Sequence, residues 1–182
     1  MPVKELVRLV PANANILDLG CGKAIVLKNL LTFNKYTGID LNTKNINSLS
    51  NLNKNNTKFI EGDCIKYINK PLKEFDCFLL IDVIHHLPVN NQIPFLENLV
   101  SKMKINDHLI IKDISNKNKL KAFWNIFHDL IISRQLINYC DFNILLESMD
   151  CNKYVYKQFI IKKNMYDHNF ILIKKLNLIF EK

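Results

Sequence analysis

A short apolar run meets two glycines in the stretch Ile16-Leu17-Asp18-Leu19-Gly20-Cys21-Gly22-Lys23-Ala24. The apolar run predicts a buried strand, and the periodic segment 23–31 predicts a helix. Glycines at such a junction leave the backbone open to a ligand, and the first turn of the helix offers free N–H groups. The plain alternative is a tight turn that binds nothing. The position of Gly20 and Gly22 between a strand and a helix favours the ligand site.

The same alternation of apolar runs and periodic segments continues to residue 114. Strands are predicted at 16–19, 36–40, 57–62, 76–81 and 108–114, with helices at 23–31, 43–52 and 91–104 between them. Strands that alternate with helices form a parallel sheet with right-handed crossovers. Further along, the pattern predicts a helix at 141–149 and an antiparallel hairpin at 154–162 and 168–176. Without a repeat or a domain boundary, the fold class is α/β in a single domain over residues 1–182.

Length and composition are those of an ordinary globular chain. It has 182 residues, 48% of them hydrophobic, and a formal charge of +8 from 25 basic and 17 acidic residues. This apolar content excludes wholesale disorder, and four glycines and five prolines exclude a collagen-like chain. The apolar runs 78–81 and 171–173 are far shorter than the roughly 20 residues of a membrane-spanning helix. For that reason no transmembrane span is expected. The charged N-terminus also lacks the apolar stretch of a signal peptide.

The basic excess and the cysteines narrow the range of partners. Nearly all positive charges are lysines, with arginine only at Arg8 and Arg134. Proteins that read nucleic acids rely on arginine for bidentate contacts, so no specific nucleic-acid partner is predicted. Five cysteines without a CxxC pair indicate reduced thiols in the cytoplasm, and neither a disulfide framework nor a metal site is predicted.

The opening stretch resembles the first motif of the class I S-adenosylmethionine-dependent methyltransferases. Their usual form is apolar-apolar-acid-apolar-G-x-G-x-G, which residues 16–24 match with Asp18 as the acid and Ala24 in place of the third glycine. Dinucleotide-binding Rossmann proteins differ, because they read G-x-G-x-x-G and the last position here is Ile25. The resemblance implies a Rossmann-like sheet of seven mostly parallel strands with helices on both faces, the last strand antiparallel.

Three further motifs follow in order, each at the carboxyl end of a predicted strand, where open α/β sheets bind ligands. Asp40 ends the second strand, and Glu61-Gly62-Asp63-Cys64 ends the third. Phe75-Asp76, followed by Phe78-Leu79-Leu80-Ile81-Asp82-Val83-Ile84-His85-His86-Leu87, resembles the fourth motif of the family. The resemblance covers residues 14–115.

The resemblance implies S-adenosyl-L-methionine as the cofactor, held at this edge of the sheet. In the family, the acid at Asp40 binds the ribose hydroxyls and the acid at Asp63 binds the adenine amino group, while Asp18 suits a cofactor that carries an ammonium and a sulfonium. The predicted cofactor-binding residues are Asp18, Gly20, Cys21, Gly22, Asp40, Leu41, Asp63, Cys64, Ile81 and Asp82. Each has a plainer explanation, because acids also cap helices or lie solvated at strand ends, and cysteines also act as small apolar fillers.

Methyl transfer needs a protein base only when the acceptor must lose a proton. The candidates are His85, His86 and Asp113, because the loops after the fourth and fifth strands border the methyl group in this family. The two histidines could equally begin a loop. We predict a methyltransferase that acts on oxygen, nitrogen or carbon of a small, partly apolar molecule. The alternatives are an RNA or protein methyltransferase, favoured by the charge of +8, and an inactive module that binds only the cofactor.

Residues 117–139 form a predicted helical, lid-like insertion after the fifth strand. Their apolar stripe at helical spacing either packs in the core or covers a hydrophobic acceptor. Three lysines at the start of this aromatic face also allow weak contact with a membrane surface. The oligomeric state is left open. On the lid interpretation, the substrate-binding residues are Phe123, Trp124, Phe127 and His128, and His128 is a further candidate base.

Overall fold

The structure is a computed structural model that describes residues 1–114, 138–162 and 167–177. Its strands are β1 (Asn15–Leu19), β2 (Lys35–Asp40), β3 (Thr57–Glu61), β4 (Cys77–Ile81), β5 (His108–Ile114), β6 (Tyr154–Lys162) and β7 (Asp167–Lys175). Its helices are α1 (Val3–Val7), α2 (Ile25–Asn29), α3 (Thr43–Ser48), α4 (Cys64–Tyr67), α5 (Val89–Lys102) and α6 (Phe142–Ser148), with 3-10 turns at Ser50–Leu52 and Ile84–His86. Each predicted strand is confirmed, with its bounds shifted by at most one residue.

The described strands form one sheet of seven, in the order β3-β2-β1-β4-β5-β7-β6. β1 pairs in parallel with β2 on one side and β4 on the other, and β3 and β5 extend the sheet in parallel. β7 runs antiparallel between β5 and β6. The predicted mostly parallel sheet with an antiparallel last strand is therefore confirmed. Because the strand order reverses at β1, a crevice opens at the carboxyl end of this strand, where open α/β sheets bind ligands.

Apolar layers cover both faces of the sheet. Leu17 and Leu80 belong to the layer that contains α5, whereas Ile16 and Leu79 belong to the layer on the opposite face. β4 is buried along Cys77–Leu80 because both of its faces are covered, and this explains its unbroken apolar sequence. The core thus holds the strands rigidly and leaves their carboxyl ends to carry polar side chains.

The helices end where local turns set their limits. α2 begins only at Ile25, because Ala24 before it adopts a left-handed backbone conformation with φ 51°. α3 stops at Ser48 and is followed by a 3-10 turn. Asn42 caps α3 and Asp63 caps α4, each by accepting a hydrogen bond from a backbone N–H group. These caps fix the loops that follow β2 and β3 at the edge of the crevice.

The insertion predicted at 117–139 lies outside the described residues, apart from its last two positions. The substrate-binding residues predicted there, Phe123, Trp124, Phe127 and His128, are outside them too and stay predictions. Within the described ranges, no helix combines the length and the apolar character that crossing a membrane requires.

Candidate active site

Two glycines in left-handed conformations shape the turn after β1. Gly20 has φ 80° and Gly22 has φ 53°. The N–H groups of Gly20 and Cys21 donate to the carbonyl oxygen of Ile39 over 2.7 and 2.9 Å, which ties the turn to β2. A Cβ atom at Gly20 would overlap the Val83 side chain, whereas a Cβ at Gly22 would meet nothing within 4 Å. Packing therefore requires a glycine at Gly20, and Gly22 leaves the backbone open to a ligand.

Ala24 stands at the position of the third motif glycine and adopts a conformation that glycine favours. Its φ of 51° is left-handed, which costs an alanine about 1–2 kcal/mol. Its N–H donates to the Cys21 carbonyl oxygen over 2.8 Å, which closes the turn. The departure from the motif is a change of side chain and leaves the left-handed turn in place.

Asp18 lies beneath this turn, with only 2% of its surface exposed. The hydroxyl of Tyr36, on β2, donates to its Oδ2. Its Oδ1 has no hydrogen-bond partner among the residues that the structure describes. Burial and the nearby Asp40 charge raise the pKa of Asp18 to about 7, although the hydrogen bond from Tyr36 opposes the shift. A buried carboxylate oxygen without a partner suits a cationic ligand group, which would compensate it.

The Asp40 carboxylate at the end of β2 is anchored by three hydrogen bonds. Its Oδ2 accepts from the Gly22 N–H over 2.8 Å, which couples this acid to the turn. Its Oδ1 accepts from the Asn42 N–H over 2.8 Å and from the Asn45 side chain over 3.2 Å. The cap of α3 is Asn42, so Asp40 does not serve as a helix cap. The sequence motifs did not identify Asn45, whose only signal is a polar residue one turn after the cap.

Asp63 and Cys64 follow β3 at the same edge of the sheet. Asp63 Oδ1 accepts from the Ile65 N–H over 2.8 Å, so the helix-cap explanation holds for one oxygen of this acid. Burial raises the pKa of the Cys64 thiol to about 11 and also raises the pKa of Cys21. Both thiols are therefore uncharged at neutral pH and are poor nucleophiles.

Two cavities open at the carboxyl edge of the sheet. The larger, about 620 Å³, reaches Asp40 and His86, and the smaller, about 170 Å³, reaches Asp18. In the walls that the described residues form, every predicted cofactor-binding residue except Asp63 is present. The cavities adjoin, because four residues line both of them: Gly20, Gly22, Ile81 and Asp82.

Asp82 forms an ion pair with a lysine that is buried in the sheet. It follows β4 with φ 56° and lines both cavities. Lys112, on β5, is 1% exposed, and its ammonium donates to both carboxylate oxygens of Asp82. The backbone reinforces the contact, since the Asp82 N–H donates to the Lys112 carbonyl oxygen over 2.7 Å. No sequence motif pointed to Lys112, because only the pairing of β4 with β5 brings these residues together.

Three of the four predicted candidates for the base lie together, and the fourth, His128, is outside the described residues. Nδ1 of the buried His85 contacts Oδ1 of Asp113, and the backbone N–H of His85 donates to Oδ2 of Asp113 over 3.2 Å. Both oxygens of Asp113 are thus used to hold His85. His86 is exposed and lines the larger cavity, and its ring centroid lies 4.0 Å from that of His85.

Asp82, His85 and Asp113 also place possible metal-ligand atoms within 4.8 Å of one another. Both carboxylates are already engaged by protein groups, because Lys112 pairs with Asp82 and the His85 ring contacts Asp113. A metal ion would have to displace the buried ammonium of Lys112. The geometry favours the ion pairs, and the absence of a metal from the working site stays a prediction.

Comparison with known proteins identifies the family. A family model described as a methyltransferase domain matches residues 16–106, which is half of the chain. The chain belongs to this methyltransferase family. Its motifs, sheet order and family together make it a class I S-adenosylmethionine-dependent methyltransferase, so the predicted enzyme class and cofactor are confirmed.

Solved methyltransferases share the fold at low sequence identity. The plantazolicin methyltransferase BpumL, solved with a pentazolic desmethylPZN analog and SAH, has a TM-score of 0.72 at 17% identity, covering 97% of this chain and 86% of its own. A SAM-dependent methyltransferase from Archaeoglobus fulgidus has a TM-score of 0.71 at 16% identity, and the match covers 94% of this chain and 91% of that protein. The N-methyltransferase NodS from Bradyrhizobium japonicum WM9 has a TM-score of 0.67 at 17% identity, covering 96% and 94%. Curated protein sequences give no match.

The residues of this methyltransferase fit S-adenosylmethionine. The cofactor joins an adenosine to a charged amino acid, so it needs a site with two connected parts. The larger cavity presents the anchored carboxylate of Asp40, an acceptor for ribose hydroxyls. The smaller cavity contains Asp18, whose unpaired oxygen suits an ammonium.

Proposed function

We propose that this methyltransferase acts on oxygen, nitrogen or carbon of a small, partly apolar acceptor. The observation that carries the proposal is the wall of the larger cavity, where the described residues include Ile81, Val83 and Leu87 but neither lysine nor arginine. An RNA acceptor requires cationic groups for its phosphates, and this described wall offers none. A plantazolicin methyltransferase and an N-methyltransferase with the same fold support the proposal by analogy.

The cofactor contacts are assigned residue by residue. Asp40 accepts hydrogen bonds from the ribose hydroxyls, and the bare Gly22 allows the close approach of the ligand. The free oxygen of Asp18 receives the methionine ammonium. Cys64 lies beside the adenine, and Asp63 reaches the adenine amino group with the oxygen that the helix cap does not use. S-adenosylmethionine, when bound, supplies an electrophilic methyl group.

An acceptor that must lose a proton meets the histidine pair. His86 lines the larger cavity, and His85 lies behind it with its Nδ1 against Asp113. The contact of Nδ1 with Asp113 fixes the orientation of the His85 ring against His86. We assign proton removal to the histidine pair and the orientation of His85 to Asp113, which is therefore a positioning residue.

Methyl incorporation tests the proposal. The purified protein is incubated with S-adenosylmethionine labelled in its methyl group, together with a mixture of small apolar metabolites or with total RNA. We expect label in the small-molecule fraction, and much less of it when Asp40→Ala replaces the wild-type protein at a limiting cofactor concentration. Label in RNA, with tight binding of one RNA at physiological salt, would contradict the proposal and favour the RNA alternative. Binding of the cofactor without any label would favour an inactive module.

A cytoplasmic location is part of the same proposal. All five cysteines lie in the described part of the chain, and all are free. Free thiols suit a reducing compartment, where Cys21 and Cys64 would remain unoxidised.

A further inference from the structure

The ion pair between Lys112 and Asp82 has a position that packing alone does not explain. Lys112 lies opposite Ile81 of β4 and Phe170 of β7 in the sheet register, among apolar neighbours. An apolar side chain would fill this place without the cost of removing a charge from water. Replacing a buried ion pair by apolar residues of similar volume is often neutral or stabilising, and here the Lys112 side chain is fully buried while that of Asp82 is 34% exposed towards the cavities. The pair therefore points to a role in the site that Asp82 lines.

Asp82 lies at the junction of the two cavities, which we define as the four residues that line both: Gly20, Gly22, Ile81 and Asp82. A ligand with its ribose at Asp40 and its ammonium at Asp18 has to cross this junction. In S-adenosylmethionine, the group between those two ends is the sulfonium. Asp82 is the one charged side chain among these four residues.

We propose that Lys112 is a positioning residue that neutralises Asp82, so that the junction carries no net charge where the sulfonium of the cofactor becomes a thioether. This inference rests on the proposed function and adds to it a control of charge. The two hydrogen bonds from the Lys112 ammonium fix both oxygens of Asp82, so the carboxylate is oriented while its charge is compensated.

The reaction removes one positive charge from the junction. The lone pair of the acceptor forms the new bond to the methyl carbon, the electron pair of the broken sulfur–carbon bond stays on sulfur, and any acceptor proton leaves to the histidine pair or to water. A lone carboxylate would stabilise the cationic reactant and oppose this loss of charge. A lone ammonium would oppose binding of the reactant. The neutral pair avoids both effects.

The test compares the affinities for S-adenosylmethionine and for its product S-adenosylhomocysteine, which lacks the methyl group and the positive charge. Calorimetry gives the ratio of the two affinities for wild-type protein, Lys112→Met, Asp82→Asn and the double variant. Lys112→Met leaves one negative charge and should raise the ratio of the affinity for S-adenosylmethionine to that for S-adenosylhomocysteine about tenfold. Asp82→Asn leaves one positive charge and should lower the ratio about tenfold. The double variant is again neutral and should return to the wild-type ratio.

Lys104→Met is the matched control. Lys104 and Asp107 form a second lysine–aspartate pair, 3.9 Å apart, near the amino end of β5 and away from the cavities. Its removal should leave the ratio unchanged. Asp82→Asn could fail to fold because the buried ammonium of Lys112 has lost its partner. In that case the comparison of Lys112→Met with the double variant still tests the proposal, since these two proteins differ only at residue 82.

Three results would overturn the proposal. Ratios that stay at the wild-type value in both single variants, while their melting temperatures fall, would leave the ion pair with a structural role only. Wild-type protein that binds neither ligand would overturn the proposed function, and the inference with it. Binding of both ligands with parallel losses in the variants would overturn the inference alone.

Discussion

Asp40 links the turn after β1 to the ribose end of the site. Its carboxylate holds the Gly22 N–H and is itself oriented by Asn45. We expect Asp40→Ala to weaken S-adenosylmethionine binding by about 1.5–3 kcal/mol, because hydrogen bonds to a charged group are lost. Calorimetry measures the change, with Asn45→Ala as a milder control that removes one anchoring bond. An unchanged affinity in Asp40→Ala would exclude this acid from the site.

Gly22 gives a cleaner test of close backbone approach than Gly20. A side chain at Gly20 would overlap Val83, so Gly20→Val should destabilise the fold as well as the site. A methyl group at Gly22 meets open space, and Ala24 shows that this turn accepts alanine at φ 51°. Gly22→Ala should cost about 1–2 kcal/mol of stability and weaken cofactor binding. Normal binding by a folded Gly22→Ala protein would mean that the ligand does not approach this backbone.

The site residues that sequence reasoning found belong to local patterns, and those it missed depend on strand pairing. Asp18 and Asp40 lie near the carboxyl ends of strands that the sequence predicts, so they could be placed in advance. Tyr36 reaches Asp18 only because β2 lies beside β1, and Lys112 reaches Asp82 only because β5 lies beside β4. No sequence period encodes such a contact, so the ion pair between Asp82 and Lys112 could not be predicted.

At the scale of elements, strands were easier to predict than helices. A strand covered on both faces favours an unbroken apolar run, and the ends of that run set its bounds, as in β4. The helix bounds depend on caps and on backbone conformations such as that of Ala24, which an apolar pattern does not record. The short helices α1 and α4 have too few turns to show a clear period.

The amino ends of β1 and β4 are joined by Asp76, which lies opposite the site. The Asp76 carboxylate accepts from the Asn15 N–H over 2.9 Å and from the Asn15 side chain over 3.0 Å. We expect Asp76→Ala to lower the free energy of unfolding by about 1–3 kcal/mol, because two charge-assisted hydrogen bonds are lost. Cofactor affinity should stay at the wild-type value. Denaturant unfolding and calorimetry on the same sample test both parts, and a parallel loss of affinity would contradict this separation of roles.

At the scale of the whole molecule, Asp18 makes stability depend on pH. Its pKa rises from 3.8 to about 7 on folding, so the folded protein binds more protons than the unfolded chain between these values. The stability that this carboxyl group contributes is therefore fully present below about pH 4 and is lost as the pH rises to about 7. Asp18→Asn removes this titration and keeps the shape of the side chain.

We expect the stability of Asp18→Asn to increase relative to that of the wild-type protein as the pH rises. Between pH 5 and pH 8, the unfolding free energy of Asp18→Asn should increase relative to wild type by about 2–3 kcal/mol. Urea unfolding at the two pH values measures this difference and cancels the titration of the other groups. A difference that does not change with pH would show that Asp18 ionises at its ordinary pKa.

β1 lies between β2 and β4 in the sheet, although β4 comes much later in the chain than β2. Ile16 pairs with Cys77, whereas β2 and β3, which come between them in the sequence, add to the other side of β1. A growing chain can therefore complete β1, β2 and β3 before β4 exists. The junction needs Ile81 and Asp82, so the cofactor can recognise only a chain in which this long connection has closed. Cofactor binding therefore stabilises the completed sheet by mass action and does not stabilise the nascent one.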